Sequence, residues 1–498
     1  MSTRPATRVV IAGGGTAGWM AAAAISRTMG HTVDLTLVES EQIGTIGVGE
    51  STIPPLVNFN RILGIGEAEF MRAAQATFKL GILFDNWKQD GHSYFHSFGL
   101  SGKDHWSAGF QHFWLYARSR GFPEPYDDYC LELAAAMRGK FAHLPQDRMN
   151  YAYHVDATLY GRYLRKLAEE AGTKRAEGKI QRVELNGETG DIAALHLDGE
   201  RRIEGDMFVD CTGFRGLLID GALHAGFEDW GHWLPNDSAI AVQAKHQGPP
   251  MPYTQAIAHD AGWQWRIPLQ HRMGAGIVYS SGYLSRDAAY DRLMSSVGEP
   301  LIEPFDIKFR GGVRRKQWFR NCVAVGLAGG FVEPLEATTV HLIQRAVLRF
   351  IRLMPNGRVS ERDAMEFNDQ QRLDIEQIRD FVVLHYKATN RRDSPFWRHV
   401  AAMPIPDSLQ QKIELFRETG RVFRKNEELF AENSWVQVMM GQGIEPQTYH
   451  PIAAKLRDDE VERLFQTLRD NIEQTVATLP EHHAYVARYC GAEEPKAA

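Results

Sequence analysis

The sequence predicts an α/β fold with a parallel sheet, an added antiparallel sheet and a C-terminal helical domain. Three apolar runs, at residues 8–12, 207–211 and 322–325, resemble buried parallel strands, and each leads into a glycine-containing turn. Strand-like stretches at 180–185 and 192–197 are followed by Asn-Gly and Asp-Gly turns, which indicate antiparallel strands. Neighbouring strands of both kinds favour a mixed fold.

Helical patterns flank these strands. Residues 153–171 predict an amphipathic helix, and helices predominate from about residue 340 onward, at 364–388, 406–425 and 458–479. We therefore expect a first domain at 1–345, with a helical insertion at about 53–150 that carries a substrate site. A helical domain at 346–498 would roof that site, with a disordered tail at 493–498.

Composition and charge exclude several classes of function. The net charge of -6 gives no basic surface for nucleic acid or an anionic membrane. No apolar run reaches the roughly 18 residues of a membrane span, and no signal-peptide core precedes the first strand. The four cysteines are scattered, which argues against disulfides and a zinc site. We expect a cytoplasmic monomer or homodimer.

The first glycine turn has the pattern of a dinucleotide-binding loop. The strand at 8–12 is followed by Gly-Gly-Gly-Thr-Ala-Gly at 13–18 and then by a helix-forming run. Gly13 permits the tight turn, Gly15 lets the backbone approach a pyrophosphate, and Gly18 allows close packing of helix on strand. The free N–H groups at the start of the helix favour the phosphates.

Later segments indicate which dinucleotide is bound. A second strand ends in Glu39, an acid suitably placed for a ribose hydroxyl, and the glycine-rich residues 43–54 are expected to wrap a long cofactor as a strap. An enzyme that binds only NAD does not need the late glycine turn at 326–330. Three such turns resemble the FAD proteins of the aromatic-hydroxylase and glutathione-reductase type, with a Rossmann-like box, and they predict FAD. The predicted FAD contacts are Gly13, Gly15, Thr16, Ala17, Gly18, Glu39, Ser40, Ile43, Gly49, Ile180, Gly213, Gly326, Leu327 and Ala328.

Four sequence blocks together resemble the flavin-dependent halogenase family, in particular its tryptophan halogenases. They are the glycine turn at 13–18, Phe78-Lys79 after the strap, Trp-x-Trp-x-Ile-Pro at 263–268, and Phe-Val-Glu-Pro-Leu-Glu-Ala-Thr at 331–338. The resemblance implies that reduced FAD from a separate NAD(P)H-dependent flavin reductase, O2, and chloride or bromide generate hypohalous acid. That acid would halogenate an electron-rich arene by electrophilic aromatic substitution.

The resemblance also implies the roles of individual side chains. Trp263 and Trp265 would form a wall that shields the flavin peroxide from the arene, although the same block is typical of one face of a strand that ends at a turn. Lys79 would orient hypohalous acid as a hydrogen-bond donor or carry the halogen as a haloamine; the alternative is a surface lysine. Glu336 would take the proton that the arene loses, or would only cap the following helix.

Halide and substrate contacts are implied in the same way. Backbone N–H groups of Thr338 and Thr339 would surround the halide at the start of a helix. The chain departs from the family pattern there, because Ala337 replaces the usual Ser and Thr339 the usual Gly. A β-branched residue in place of Gly narrows the pocket, so we hypothesise that bromide is preferred.

The arene site is expected to contain His96 and Phe98, which resemble the pair that sandwiches indole in tryptophan halogenases. The paired tyrosines that grip the amino acid in those enzymes are missing around Trp435, which would stack on the ring or belong to the core. We therefore expect indole or an indole-containing compound. Two rivals remain open at this point: an FAD-dependent aromatic monooxygenase, and a reductase-type FAD protein in which Lys79 has no role.

Overall fold

The structure is a computed structural model that describes residues 6–43, 49–122 and 125–491. Part of the predicted strap, at 44–48, and the predicted disordered tail at 493–498 lie outside the described residues. The chain divides into two compact units of three segments each. Unit 1 consists of Met1–Ala76, Val155–Pro235 and Phe309–Glu376, and unit 2 consists of Thr77–His154, Asn236–Lys308 and Gln377–Ala498.

The strands of the described residues are β1 (Thr7–Ala12), β2 (Val33–Glu39), β3 (Gly49–Ser51), β4 (Thr77–Lys79), β5 (Gly81–Asp85), β6 (Ser93–Ser97), β7 (Ala152–Asp156), β8 (Lys174–Glu177), β9 (Ile180–Leu185), β10 (Ile192–Leu197), β11 (Arg202–Glu204), β12 (Met207–Asp210), β13 (Phe227–Asp229), β14 (Ser238–Ala244), β15 (Thr254–His259), β16 (Gly262–Pro268), β17 (Met273–Tyr279), β18 (Phe305–Lys308), β19 (Gly312–Arg314), β20 (Trp318–Phe319), β21 (Cys322–Ala324) and β22 (Gly330–Phe331).

The α-helices of the same residues are α1 (Thr16–Met29), α2 (Pro55–Ile62), α3 (Glu67–Ala73), α4 (Phe110–Ser119), α5 (Leu131–Met137), α6 (Ala157–Glu170), α7 (Arg286–Met294), α8 (Thr339–Arg352), α9 (Glu361–Lys387), α10 (Pro395–Ala402), α11 (Asp407–Thr419), α12 (Glu432–Gly441), α13 (Asp458–Thr478) and α14 (His482–Cys490). None of these described helices is long and apolar enough to cross a membrane.

A parallel sheet organises unit 1 and confirms the predicted α/β class. Its strand order is β20-β21-β12-β1-β2-β8, with β1 parallel to both β2 and β12, and β12 parallel to β21. The apolar runs are buried because parallel strands are covered on both faces. The predicted antiparallel strands are confirmed as well, since β9, β10 and β11 form a sheet in the order β11-β10-β9.

Unit 2 contains a seven-stranded sheet in the order β18-β14-β17-β16-β15-β5-β6. The strand β16 carries the Trp-x-Trp-x-Ile-Pro block and lies between β15 and β17, antiparallel to both. Successive side chains of a strand point to opposite faces, so the two tryptophans share one face and Gln264 and Arg266 share the other. The sequence interpretation of this block as a strand is therefore confirmed.

Two sequence predictions about larger segments have different outcomes. The helical C-terminal region is confirmed by α9, α11 and α13, which match the predicted segments at 364–388, 406–425 and 458–479. The segment 53–150, predicted to be helical, also contains three strands in its described part. That expectation was incomplete because a short apolar run does not distinguish a strand from a buried helix. The functional division at residue 345 stays a prediction.

Candidate active site

The first glycine turn lies between β1 and α1 and leaves open space where a phosphate would sit. Gly13 has a φ of +108°, and a Cβ there would lie 2.4 Å from the carbonyl oxygen of Cys211. A Cβ on Gly18 would lie 1.8 Å from the carbonyl oxygen of Gly13, whereas one on Gly15 would meet no atom within 4 Å. Gly15 precedes the first turn of α1, so this open space adjoins the backbone N–H groups of a helix start, which suits the pyrophosphate of FAD.

All three glycine turns follow neighbouring strands of one sheet. Gly213 and Gly326 follow β12 and β21, the strands beside β1 on one side, and both have positive φ angles. A Cβ on Gly326 would lie 3.0 Å from the Cβ of Ala17, so the late turn approaches the first one. Parallel strands end at the same edge of a sheet, where ligands of α/β proteins bind.

Glu39 ends β2 beside this edge and is already engaged in polar contacts. Its Oε1 accepts a hydrogen bond from Arg175 Nε at 2.6 Å, and its Oε2 accepts one from Trp19 Nε1 at 3.2 Å. A Cβ on Gly14 would lie 1.6 Å from Oε2, so the carboxylate is pressed against the glycine turn. Sequence reasoning missed Arg175, whose position on β8 gives no local signal of this contact.

The remaining predicted FAD contacts lie at the ends of strands in unit 1. Ser40 and Ile43 belong to the turn after β2, Gly49 begins β3, and Ile180 begins β9. Leu327 and Ala328 lie with Gly326 in a 3₁₀ turn after β21. Ser40, Ile43 and the 3₁₀ turn thus follow strands of the parallel sheet, whereas Gly49 and Ile180 begin strands of two other sheets, and their contacts with FAD stay predictions.

Glu336 lies in a buried turn before α8. The turn Pro334–Glu336 is a 3₁₀ segment, and Glu336 itself has no exposed surface. Ala337 follows with a φ of +58°, a left-handed conformation that costs a non-glycine residue energy. The helix α8 then begins at Thr339.

Thr338 is the second buried polar residue of this turn. It is fully buried, and its Oγ1 has no hydrogen-bond partner among the described residues. Burying a hydroxyl group without a partner is costly. An anion at the start of α8 would satisfy it together with the free N–H groups of the helix.

Lys79 ends β4 in unit 2 and is completely buried. Its ammonium Nζ lies 5.0 Å from the centre of the Phe98 ring, within the range of a cation–π interaction. Phe98 is only partly buried, so the lysine lies beside an accessible aromatic face. Complete burial shows that the interpretation as a surface lysine is wrong, because such a lysine keeps its ammonium in water.

Two buried histidines hold the strand of Lys79. Thr77 donates its hydroxyl hydrogen to the carbonyl oxygen of Pro268 at 2.6 Å, and its oxygen lies 3.1 Å from His154 Nδ1. His154 Nε2 in turn lies 2.9 Å from the hydroxyl of Thr254. The Thr77 hydroxyl hydrogen is donated to Pro268, so His154 Nδ1 must carry the ring proton and donate it to the Thr77 oxygen. His154 Nε2 then accepts a hydrogen bond from the Thr254 hydroxyl.

Burial and the charge of Lys79 lower the pKa of His154 well below its usual value. On the neighbouring residue, the backbone N–H of Phe78 donates to His482 Nε2 at 3.2 Å. Burial lowers the pKa of His482 to about 4, so both histidines are neutral at pH 7. Sequence reasoning missed both, since they lie 75 and 403 residues beyond Lys79 in the chain.

Trp263 and Trp265 form a buried aromatic layer on one face of β16. Their ring centres are 6.2 Å apart, and the ring centre of Trp87 lies 6.4 Å from that of Trp263. A Cβ on Gly276 would lie 2.1 Å from the Trp265 ring, so this indole packs directly on the backbone of β17. The pair therefore has a fixed position, as a wall requires.

The predicted arene residues lie at the edge of the same sheet. His96 is buried on β6, with its ring 5.4 Å from that of Phe381. Phe98 follows β6 in a loop fixed by α12, where Asn433 Nδ2 donates to the carbonyl oxygen of Gly99 at 2.8 Å. A neighbouring contact joins α12 to β6, because the Ser97 N–H donates to Gln437 at 2.9 Å.

Trp435 occupies the core beside this loop. Its Nε1 donates to Glu428 at 3.0 Å, and the ammonium of Lys412 lies 3.9 Å from its ring centre. Phe381 packs edge-on against it at 4.8 Å and also contacts His96. These contacts agree with the core role that the sequence left open and connect Trp435 to the arene residues through Phe381.

The sequence profile of the tryptophan halogenase family matches residues 8–458. The chain belongs to the tryptophan halogenase family. It is therefore a flavin-dependent halogenase, an enzyme, and the family uses FAD, halide, O2 and a separate flavin reductase to act on small aromatic substrates. Membership also excludes the reductase-type alternative.

Relatives of this tryptophan halogenase family member cover nearly its whole length. The tryptophan 7-halogenase RebH of Lentzea aerocolonigenes is 33% identical over 97% of this chain and 99% of its own. The structure is similar to Xcc4156, a flavin-dependent halogenase from Xanthomonas campestris, with a TM-score of 0.97 and 54% identity over 99% and 100% of the two chains. BrvH, a flavin-dependent halogenase from Brevundimonas sp. BAL3, gives a TM-score of 0.93 and 43% identity over 98% and 100%.

Proposed function

We propose that this halogenase transfers halogen from hypohalous acid to an indole-type arene, with Lys79 as the group that orients the acid. The FAD that the glycine turns would hold is delivered reduced by a separate NAD(P)H-dependent reductase in the cytoplasm, and it supplies the electrons for making hypohalous acid from O2 and halide. The observation that carries the proposal is the buried ammonium of Lys79 beside the accessible ring of Phe98.

Lys79 acts by donating a hydrogen bond to the oxygen of hypohalous acid. The donor polarises the oxygen–halogen bond, so the halogen becomes more electrophilic. The arene carbon attacks the halogen and the oxygen–halogen bond breaks. The oxygen leaves as water after taking up one proton, which balances the proton that the ring loses in the next step. We propose this role for the ammonium form of Lys79, because a charged donor polarises the oxygen–halogen bond. The alternative, a haloamine, would need the neutral amine.

Glu336 acts after the carbon–halogen bond has formed. The cationic ring must lose a proton, and a nearby carboxylate stabilises the cation and accepts that proton. Complete burial of Glu336 strengthens its electrostatic effect, because a charge interacts more strongly where water is excluded.

We assign the halide to the turn before α8, at the backbone N–H groups of Thr338 and Thr339. The buried Thr338 hydroxyl supports this assignment because it lacks a partner among the described residues. Thr339, the first residue of α8, carries a branched side chain where the family has glycine, and Ala337 offers no hydroxyl. We propose on this basis that bromide is preferred.

The tryptophans serve as a wall that keeps the arene from the oxidant until hypohalous acid has formed. Their fixed packing on β17 and against Trp87 supports this role. On the arene side we place His96 and Phe98, with Trp435 as a residue that supports their position. The helix α12 carries no pair of tyrosines for an amino-acid backbone, which favours indole or an indole-containing compound over free tryptophan.

The deciding experiment combines the purified enzyme with FAD, a flavin reductase, NADH, bromide and indole. We expect a monobrominated product with the paired isotope peaks of bromine, and none when bromide is omitted. A product that gains oxygen without any dependence on halide would contradict the proposal and would indicate an aromatic monooxygenase.

A further inference from the structure

A cavity of about 150 Å³ lies in unit 2, on the face of the sheet that is opposite to the tryptophan wall. Its lining includes Arg266 and Pro268 of β16, Met273 of β17, and Tyr253, Met251 and Val297 from the surrounding segments. Arg266 pairs with Gln255 of β15 and Ala275 of β17, which places it on the face away from Trp265. The cavity and the tryptophans therefore lie on opposite faces of the same sheet.

Arg266 is the charged group of this cavity, and its donors are incompletely satisfied. It is half-buried, and one of its terminal nitrogens donates to the carbonyl oxygen of Ser296 at 2.6 Å. Its Nε is buried and has no hydrogen-bond partner among the described residues. Because a guanidinium has five N–H donors and always carries its charge, a single carbonyl leaves most of its capacity unused.

The nearby charges leave Arg266 as the cation available to a ligand. Lys245 also lines the cavity, but it is exposed and paired with Glu299 at 2.7 Å. Asp85 acts on Arg266 at longer range by raising its pKa, and this effect is smaller than that of burial, which lowers the pKa. Arg266 is half-buried and no carboxylate among the described residues pairs with it at close range, so a bound anion would stabilise its charge.

The other residues that line the cavity indicate the size and polarity of the rest of the ligand. Two methionines, two prolines and a valine are apolar, and Tyr253 adds an aromatic ring. A cavity near 150 Å³ accommodates a ring of about the size of benzene. Carboxylates match the planar fork of arginine in a bidentate arrangement. We propose that this cavity is a second ligand site that binds a small aromatic monocarboxylate through Arg266, apart from the arene site.

The test uses the full-length enzyme and benzoate as the probe, with affinity measured by calorimetry. We expect wild-type enzyme to bind benzoate at one site, and benzamide, its neutral analogue, at least about tenfold more weakly, because a charged hydrogen bond is lost. Excess indole is expected to leave benzoate binding unchanged. Absence of benzoate binding, equal binding of benzamide, or competition by indole would each overturn the proposal.

Variants of the arginine identify the site. Arg266→Met is expected to weaken benzoate binding by at least about tenfold, and Arg266→Lys by an intermediate factor, since lysine keeps the charge but loses the fork. The matched control is Arg292→Met, which removes a half-exposed arginine of α7 that pairs with Asp260 outside the cavity. Thermal unfolding verifies that each variant is folded. Unchanged affinity in folded Arg266→Met would contradict the assignment.

Discussion

The ammonium Nζ of Lys79 lies 5.0 Å from the centre of the Phe98 ring. A buried cation and a partly exposed aromatic ring thus lie together at one point of unit 2, which is where we propose that the halogen meets the arene. The glycine turns of the proposed FAD site, the histidines that hold the strand of Lys79 and the buried carboxylate of Glu336 are the other features on which the proposed reaction depends.

Replacing Lys79 by methionine removes the donor while keeping an apolar stem of similar length. We expect Lys79→Met to lower the rate of indole bromination by at least about 100-fold, as the loss of a preorganised donor does in other enzymes. Oxidation of reduced FAD by O2 should continue, which oxygen consumption measures. Lys166→Met, at an exposed position of α6, is the control. Bromination at the wild-type rate would contradict the role of Lys79.

Glu336→Gln keeps the size of the side chain but removes its basicity. The rate of bromination is expected to fall by a factor of about 100, the lower end of the usual contribution of a catalytic base. Glu333→Gln, in the same buried turn, serves as the comparison and should retain most of its rate. Steady-state kinetics with indole distinguish the two, and equal losses would indicate that the turn has a structural role only.

The hydrogen bonds around His154 provide a stability prediction. Thr77→Val leaves the His154 Nδ1–H without an acceptor, and Thr254→Val removes the donor to Nε2. Each variant is expected to lower the free energy of unfolding by about 1–3 kcal/mol. Because both threonines contact one imidazole, the double variant should deviate from additivity by at least about 0.5 kcal/mol. Thr467→Val, at an exposed site of α13, is the control. Urea denaturation measures each value, and strict additivity would contradict the coupling.

His482 provides a pH dependence. Its pKa falls to about 4 in the folded protein from an ordinary 6.5, so the unfolded chain binds more protons between these values. The stability contributed by the neutral imidazole is fully present above pH 6.5 and is lost as the pH falls toward 4. We expect His482→Gln, whose amide can accept from Phe78 and donate to Pro250, to lose stability less steeply over this range. The measurement is the free energy of unfolding in urea at several pH values between 6.5 and 4. Equal slopes of this free energy against pH for the wild-type enzyme and His482→Gln would contradict this role.

Halide selectivity is expected to depend on the turn before α8. Restoring the family residues in Ala337→Ser and Thr339→Gly widens the turn and returns a hydroxyl. We expect the double variant to increase the ratio of chlorination to bromination, measured with equal concentrations of both halides. A wild-type enzyme that turns over faster with chloride would refute the proposed bromide preference directly.

The sequence predicted those features that depend on neighbouring residues. The glycine turns, β16 and α8 were correctly placed, because each has a local pattern of apolar, glycine or helix-forming residues. The contacts of Glu39 with Arg175 and of Thr77 with His154 were not predictable, since they join residues 136 and 77 positions apart. The cavity at Arg266 was missed for a related reason, because strand alternation indicates which face a side chain takes but not what that face leaves uncovered.

The strand β16 presents tryptophans on one face and an arginine on the other, and this constrains how the gene can change. Inserting or deleting one codon between Trp263 and Trp265 would move every later residue of the strand to the opposite face, placing Arg266 in the tryptophan layer and Trp265 on the side of the cavity. Families of such enzymes should therefore vary in loop length around this block while the block itself keeps a constant length.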